Sequence, residues 1–188
     1  DLTDRRLPTH PPKIPAGKTK PVVLCVGTLE GRKNHLQLLN ACEKLWSRQQ
    51  SFELQIIGHV NETGRTALAN VRKLQAMGRP VRYEGPGADE DIERAYDECA
   101  FTVYPSIAEG FGLPVIESLA RGKPCLCLRY PPLGEAPLHG GCVALGHVTT
   151  PTLAGALREL LATPAPLHRL EPAARARRFR PLGATPAT

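Results

Sequence analysis

Between residues 21 and 162 short apolar runs alternate with longer amphipathic segments, and this alternation limits the possible folds more than any other feature. "PVVLCVG" (21–27), "FELQIIG" (52–58), "VRYEG" (81–85), "FTVYP" (101–105), "PCLCL" (124–128) and "CVAL" (142–145) read as short strands. The segments between them read as helices. Residues 34–49 place Leu36, Leu39, Cys42 and Trp46 at helical spacing behind Asn34, a residue suited to an N-cap. A helix over 66–77 stops at Gly78, and "ADEDIERAYDECA" opens with acids that favour a helix N-terminus. Pro114 opens a helix that holds Glu117 and ends at Gly122; Thr150 and Pro151 are placed as N-cap and first residue of the last helix. The pattern predicts an α/β fold with a doubly wound, Rossmann-like parallel sheet. Such sheets bind ligands at the carboxyl ends of their strands.

Composition adds limits on the rest of the chain. Ten of the 19 prolines lie before residue 22 or after residue 163, so both ends read as linker or irregular chain. The division expected is an irregular N-terminal segment over 1–20, a folded domain over 21–166 and a basic, proline-containing tail over 167–188. Met77 is the single methionine, so the chain is expected to be part of something longer. No apolar run approaches the ~18 residues of a spanning helix.

The net charge of +6 lies in the flanks. Residues 1–20 carry five Lys/Arg against two Asp, and residues 167–180 five Arg against one Glu; the remainder holds 14 basic and 15 acidic residues. A balanced core without basic residues interleaved with aromatics argues against nucleic acid as a partner. The basic flanks read first as solvated terminal faces, with an anionic membrane surface as the partner in the alternative reading. The six cysteines show neither CxxC nor zinc spacing, and Cys25, Cys125 and Cys127 lie in apolar runs. Buried, reduced thiols are therefore expected, which favours a cytoplasmic location, with peripheral contact at the inner face of the membrane as its extension.

Two strand-to-helix loops carry the chemistry. "PSIAEGFGLP" (105–114) has Gly110 and Gly112 flanking Phe111, then Leu113 and Pro114 at a helix start. Backbone N–H groups at such a start bind anions. Glu117 lies about 6 Å along that helix from Leu113, and helical side chains lean back toward the N-terminus. A carboxylate beside a phosphate would repel it, so Glu117 suits sugar hydroxyls instead. "GTLEGRKN" (27–34) adds Arg32 and Lys33. Two cations and two helix N-termini around one crevice suit a diphosphate, including one that leaves with added charge. Each loop alone describes an ordinary turn with solvated charges; the pair at corresponding positions describes a nucleotide-diphosphate site. Glu30, Arg48, Arg72, Lys73 and Glu159 read as exposed charges, and His35 and His59 as surface histidines near the loops.

"VGTLEGRKNH" and "YPSIAEGFGLPVIESLARGKP", with the Glu-x7-Glu of Glu109 and Glu117, resemble the donor-binding C-terminal domain of a retaining GT-B glycosyltransferase of group 1 (family 4). The resemblance runs from about residue 21 to 162. It implies one half of a GT-B architecture, with residues 21–166 binding a nucleoside-diphosphate sugar as substrate, no cofactor, no metal, and an N-terminal acceptor domain as the partner half. Lys33 and Arg32 would hold the diphosphate. Gly110, Phe111, Gly112 and Leu113 would meet phosphate and donor sugar, Glu109 would be the catalytic residue near the reacting carbon, and Glu117 would bind ribose. The reaction implied is transfer of a hexose to an acceptor hydroxyl with retained configuration, in polysaccharide or glycoconjugate synthesis, and "RKN" with "GFGLP" points to a GDP-mannose-like donor. The alternatives are a nucleotide-binding module without transfer activity and a nucleotide-sugar epimerase-like enzyme. Departures from the family pattern are Thr28 in place of a common Arg, a loose match at Glu135, Gly140 and Gly141, His147 and Val148 where an acid is common, and a tail without the usual aromatic-led closing helix.

Overall fold

A computed structural model describes residues 20–108, 112–129 and 141–162. Six strands form one sheet: β1 (Val22–Val26), β2 (Glu53–Ile57), β3 (Val81–Tyr83), β4 (Phe101–Tyr104), β5 (Cys125–Leu128) and β6 (Cys142–Leu145). Their order is β3-β2-β1-β4-β5-β6, with every pairing parallel. The helices between them are α1 (His35–Trp46), α2 (Arg65–Ala76), α3 (Asp89–Glu98), α4 (Leu113–Ala120) and α5 (Thr150–Ala162). This is the expected doubly wound sheet. The strand order reverses between β1 and β4, so the chain leaves these neighbours toward opposite faces and opens a crevice at their carboxyl ends.

Alternation along the strands builds a core on each face. Val23, Cys25, Phe101, Val103 and Leu126 point to one face, under α1, α2 and α5. Val22, Leu24 and Ile57 meet Ala95 and Tyr96 of α3 on the other, while Tyr104, Cys125 and Cys127 meet Val115 and Leu119 of α4. All six cysteines are free thiols, and all but the half-buried Cys142 are buried.

The second face also carries a polar seam. Thr102 of β4 and Ser118 of α4 share a hydrogen bond of 2.6 Å, and Ser118 Oγ donates to the Lys123 carbonyl at 2.9 Å. The buried Lys123 Nζ donates to the carbonyls of Asp97 and Cys99 at 3.0 and 2.9 Å. A cation there satisfies groups that α3 leaves unpaired at its negative end.

Several local expectations need correction. Asn34 is in the left-handed region (φ 58°) and makes no side-chain cap; its Nδ2 donates to the Val148 carbonyl at 3.1 Å. The buried stripe of α1 is His35, Leu38, Leu39, Ala41, Cys42, Leu45 and Trp46, whereas Leu36 is 37% exposed. Both α1 and α5 share one face of the sheet and pack together, which sets that stripe. The helix also stops at Trp46 rather than 49, because Gln49 turns left-handed (φ 61°). At α5 the capping residue is Thr149, whose carbonyl accepts from Leu153 N and whose Oγ1 accepts from Thr152 N; Thr150 is already helical, and its Oγ1 donates to Gln37 at 2.6 Å. No helix among the described residues is long and apolar enough to cross a membrane.

Candidate functional site

The loop after β1 and the loop after β4 meet at the reversal of strand order. The Ile107 amide donates to the Arg32 carbonyl at 2.9 Å, and the buried Ser106 Oγ donates to the same oxygen at 3.2 Å. Arg32 Nη1 reaches across to the Ala108 carbonyl at 3.1 Å. Thus main chain and side chain of one residue tie both loops together.

The Arg32 guanidinium also pairs with Glu30 at 2.7 Å. Glu30 is no loose surface charge: its side chain is only 16% exposed, and its second oxygen accepts from Asn61 Nδ2 at 3.2 Å. Asn61 Oδ1 in turn accepts from Thr63 and from Gly64 N, so the loop after β2 joins the assembly. The two loops run very close, with an isolated bridge between Leu29 and Val60. A Cβ on Gly64 would lie 1.9 Å from the Leu29 carbonyl oxygen, so only glycine fits.

Lys33 is buried, at 9% exposure. Its Nζ donates to the Tyr104 hydroxyl at 2.6 Å and sits 4.8 Å from the centroid of that ring. Tyr104 ends β4 and packs with Val115 and Leu119 of α4, so the ammonium is carried from the β1 loop to the α4 side of the crevice. The aromatic face and hydroxyl stabilise a charge that burial would otherwise penalise.

At the start of α4, Gly112 is the N-cap in the left-handed region (φ 63°, ψ 38°) and its carbonyl accepts from Val115 N at 2.9 Å. That conformation explains why glycine precedes the helix. Leu113 is 52% exposed at the helix start. One turn later the half-buried Glu117 accepts from the Tyr96 hydroxyl of α3 at 3.4 Å through Oε2. Glu109, Gly110 and Phe111 lie outside the described residues, as do Glu135 and Gly140.

Of the two histidines, His59 is exposed, whereas His35 is not a surface residue. It is 2% exposed, and neither ring nitrogen meets a hydrogen-bond partner. Burial, reinforced by the Lys33 charge, lowers its pKa to about 4. Burial also pushes the Cys25 and Cys99 thiols up to about 12, so they stay protonated at neutral pH.

The assembled site therefore offers a buried ammonium, a guanidinium, a helix N-terminus behind a left-handed glycine and a carboxylate one turn deeper. The sequence pointed to Arg32, Lys33, Gly112, Leu113 and Glu117; Glu30, Asn61, Tyr96, Tyr104 and Ser106 emerge only from the fold.

The chain is similar to several known proteins. The O-antigen chain mannosyltransferase B of Escherichia coli is 34% identical over 122 residues, covering 64% of this chain and 32% of the relative. The D-inositol 3-phosphate glycosyltransferase of Rhodococcus erythropolis is 32% identical over 156 residues, covering 79% and 35%. The chain thus spans about a third of the length of these relatives. Among solved structures, the C-terminal domain of the glycosyl transferase group 1 family protein LpcC from Francisella tularensis superposes with a TM-score of 0.71 at 16% identity, covering 89% of this chain and 90% of that one. A point mutant of S. aureus TarM, in complex with fondaparinux, alpha-GlcNAc-glycerol and UDP, gives 0.73 at 15% identity, covering 91% and 33%. The fold is that of one Rossmann-like half of a GT-B architecture. Residues 8–177 match the family described as Glycosyl transferases group 1, and the chain belongs to that family.

Proposed function

We propose that this chain is the donor-binding half of a glycosyltransferase, and that it holds a nucleoside-diphosphate sugar in the crevice between β1 and β4. The observation that carries the reading is the placement of Lys33. Its ammonium is drawn from one loop to the Tyr104 hydroxyl at the end of β4, and the Tyr104 ring packs against Val115 and Leu119 of the helix that follows Gly112. Such an ammonium and that helix N-terminus together form an anion site. Glu117 lies about one turn of helix deeper, the distance that separates a phosphate from the hydroxyls of an attached ribose.

In this reading Lys33 binds the diphosphate with Arg32, and the backbone at 110–113 meets phosphate and sugar. Arg32 makes its contribution while retaining its hold on the Ala108 carbonyl, with Glu30 fixing its orientation. Glu109 faces the donor sugar near the reacting carbon. The hexose moves to an acceptor hydroxyl on the same face of the ring, through an oxocarbenium-like state. As the carbon–oxygen bond to phosphate breaks, the diphosphate takes the electron pair and helps remove the acceptor proton. The configuration is retained, no metal is required, and side-chain cations and helix N-termini stabilise the leaving charge. A GDP-mannose-like donor and a role in polysaccharide synthesis are supported by the similarity to an O-antigen mannosyltransferase. The acceptor half is supplied by a separate N-terminal domain. The reading includes a cytoplasmic site of action, with the basic flanks at an anionic membrane surface.

Calorimetric titration of the chain with GDP, UDP and ADP tests the reading. Saturable binding of one of them supports it, with GDP the expected partner. Absence of binding to all three at millimolar concentration overturns it.

A further inference from the structure

Glu117 does not stand alone on its helix. Tyr96, from the neighbouring α3, is 1% exposed, yet its hydroxyl is directed to Glu117 Oε2 at 3.4 Å. The Arg121 guanidinium lies over the same ring, 4.5 Å from its centroid, while its Nη1 donates to the Glu117 carbonyl at 3.3 Å. The three residues form a closed unit across two helices. The arginine covers the ring, the ring's hydroxyl meets the carboxylate, and the arginine returns to the main chain below that carboxylate.

A half-buried glutamate has several accessible rotamers, and a ligand that needs one of them must otherwise immobilise the side chain itself. The phenol engages Oε2. Among the described residues Oε1 has no hydrogen-bond partner, which leaves it for a ligand hydroxyl. Burial and the nearby Glu117 charge both raise the pKa of the phenol, so it remains a donor throughout the neutral range. A buried phenol needs a hydrogen-bond partner, and the one this ring meets is the Glu117 carboxylate; phenylalanine would fill the same space without that link.

We propose that Tyr96 is a positioning residue for nucleotide recognition: it holds the Glu117 carboxylate in the rotamer that receives the ribose hydroxyls, and Arg121 holds the ring in turn. The proposal rests on the reading of Glu117 as the ribose-binding group. It assigns the selectivity for ribose to a two-helix unit, with α3 contributing through α4 and without contact to the ligand.

The test uses Tyr96→Phe in the full chain, since the ring and its contacts with Arg121 and the core are retained. Affinity is measured by calorimetry for the tightest binder among GDP, UDP and ADP and for its 2′,3′-dideoxy analogue, in wild type, Tyr96→Phe, Glu117→Gln and the double variant. Tyr96→Phe is expected to weaken the ribonucleotide about fivefold, the loss of one modest hydrogen bond, and to leave the dideoxy analogue within about twofold. The double variant should be no weaker than Glu117→Gln alone, because the two changes remove the same interaction. If the wild type prefers the ribonucleotide and Tyr96→Phe keeps that preference in full, the role of Glu117 stands and the proposal is overturned. Equal losses for both ligands, or additive losses in the double variant, also overturn it. If the wild type itself makes no distinction between the ligands, the ribose reading of Glu117 fails and the proposal with it.

Discussion

The carbonyl oxygen of Arg32 accepts both the Ile107 amide and the Ser106 hydroxyl, at 2.9 and 3.2 Å, so one atom of the loop after β1 takes two bonds from the loop after β4. The side chains of Arg32 and Lys33 project from a backbone that is already fixed. Binding to them costs less ordering than binding to two cations on a free loop.

Replacing Lys33 by Met keeps the aliphatic stem near the Tyr104 ring and removes the charge. A charge-assisted bond to phosphate contributes roughly 1.5–3 kcal/mol, so nucleoside-diphosphate binding should weaken about tenfold or more. Calorimetry measures this directly, and the unmodified nucleoside, which has no phosphate, should show no comparable loss.

Glu117→Gln and Glu109→Gln should separate ground-state binding from transfer. The ribose is present before and after reaction, whereas charge develops at the sugar carbon only in the transition state. Glu117→Gln is therefore expected to raise the Kd for nucleotide about tenfold, in line with a lost charged hydrogen bond. Glu109→Gln should leave that Kd nearly unchanged and lower kcat in the enzyme containing both halves. Equal loss of nucleotide affinity in the two variants would contradict this division.

His35 should make stability depend on pH. Its folded pKa of about 4 lies below the ordinary value of 6.5, so the unfolded chain takes up the proton first. Stability is fully present above pH 6.5 and declines as pH falls toward 4, by at most about 1.4 kcal/mol per pH unit. Urea unfolding of wild type and His35→Leu at pH 7, 5.5 and 4.5 should show a steeper decline in the wild type. Carboxylates contribute equally to both proteins, so parallel curves would refute the assignment.

Gly64→Ala should destabilise the fold even though alanine suits helices better. The new Cβ would meet the Leu29 carbonyl oxygen at 1.9 Å, and a Cβ fixed by its own backbone cannot turn away from a main-chain oxygen. Separating the two loops disturbs the Glu30–Asn61 contact that orients Arg32, so a stability loss of about 2 kcal/mol or more is expected, with weaker nucleotide binding. Thermal unfolding and calorimetry on the same preparation test both effects.

The strands and helices were legible because their signals are local. Apolar runs closing on glycine or proline marked the strands, and Gly78 and Gly122, at φ 73° and 68°, end their helices as their positions suggested. The buried stripe of α1 was less legible, since His35 and Leu36 exchange roles once α5 packs beside α1. That contact comes from a segment more than a hundred residues later, as does the Val148 carbonyl that holds Asn34. Arg32 and Lys33 could be named from composition and loop position. Their partners could not, because Glu30 looks like any surface acid until Asn61 is brought beside it, and Tyr104 looks like any strand aromatic until Lys33 reaches it.

The bond between Thr102 and Ser118 gives the domain a fixed ruler. Val115 and Leu119 alone would let α4 slide along the sheet, since apolar contacts tolerate small translations. A hydroxyl pair at 2.6 Å, backed by Ser118 donating to the Lys123 carbonyl, does not. The position of α4 along the sheet, and with it that of Glu117, is therefore tied to β4 through Thr102. In the proposed reading, changes within residues 105–108 can alter what the crevice accepts, while the Glu117 carboxylate keeps its place. One scaffold can in this way, in the proposed donor-binding reading, be refitted to different sugars without rebuilding its grip on the nucleotide.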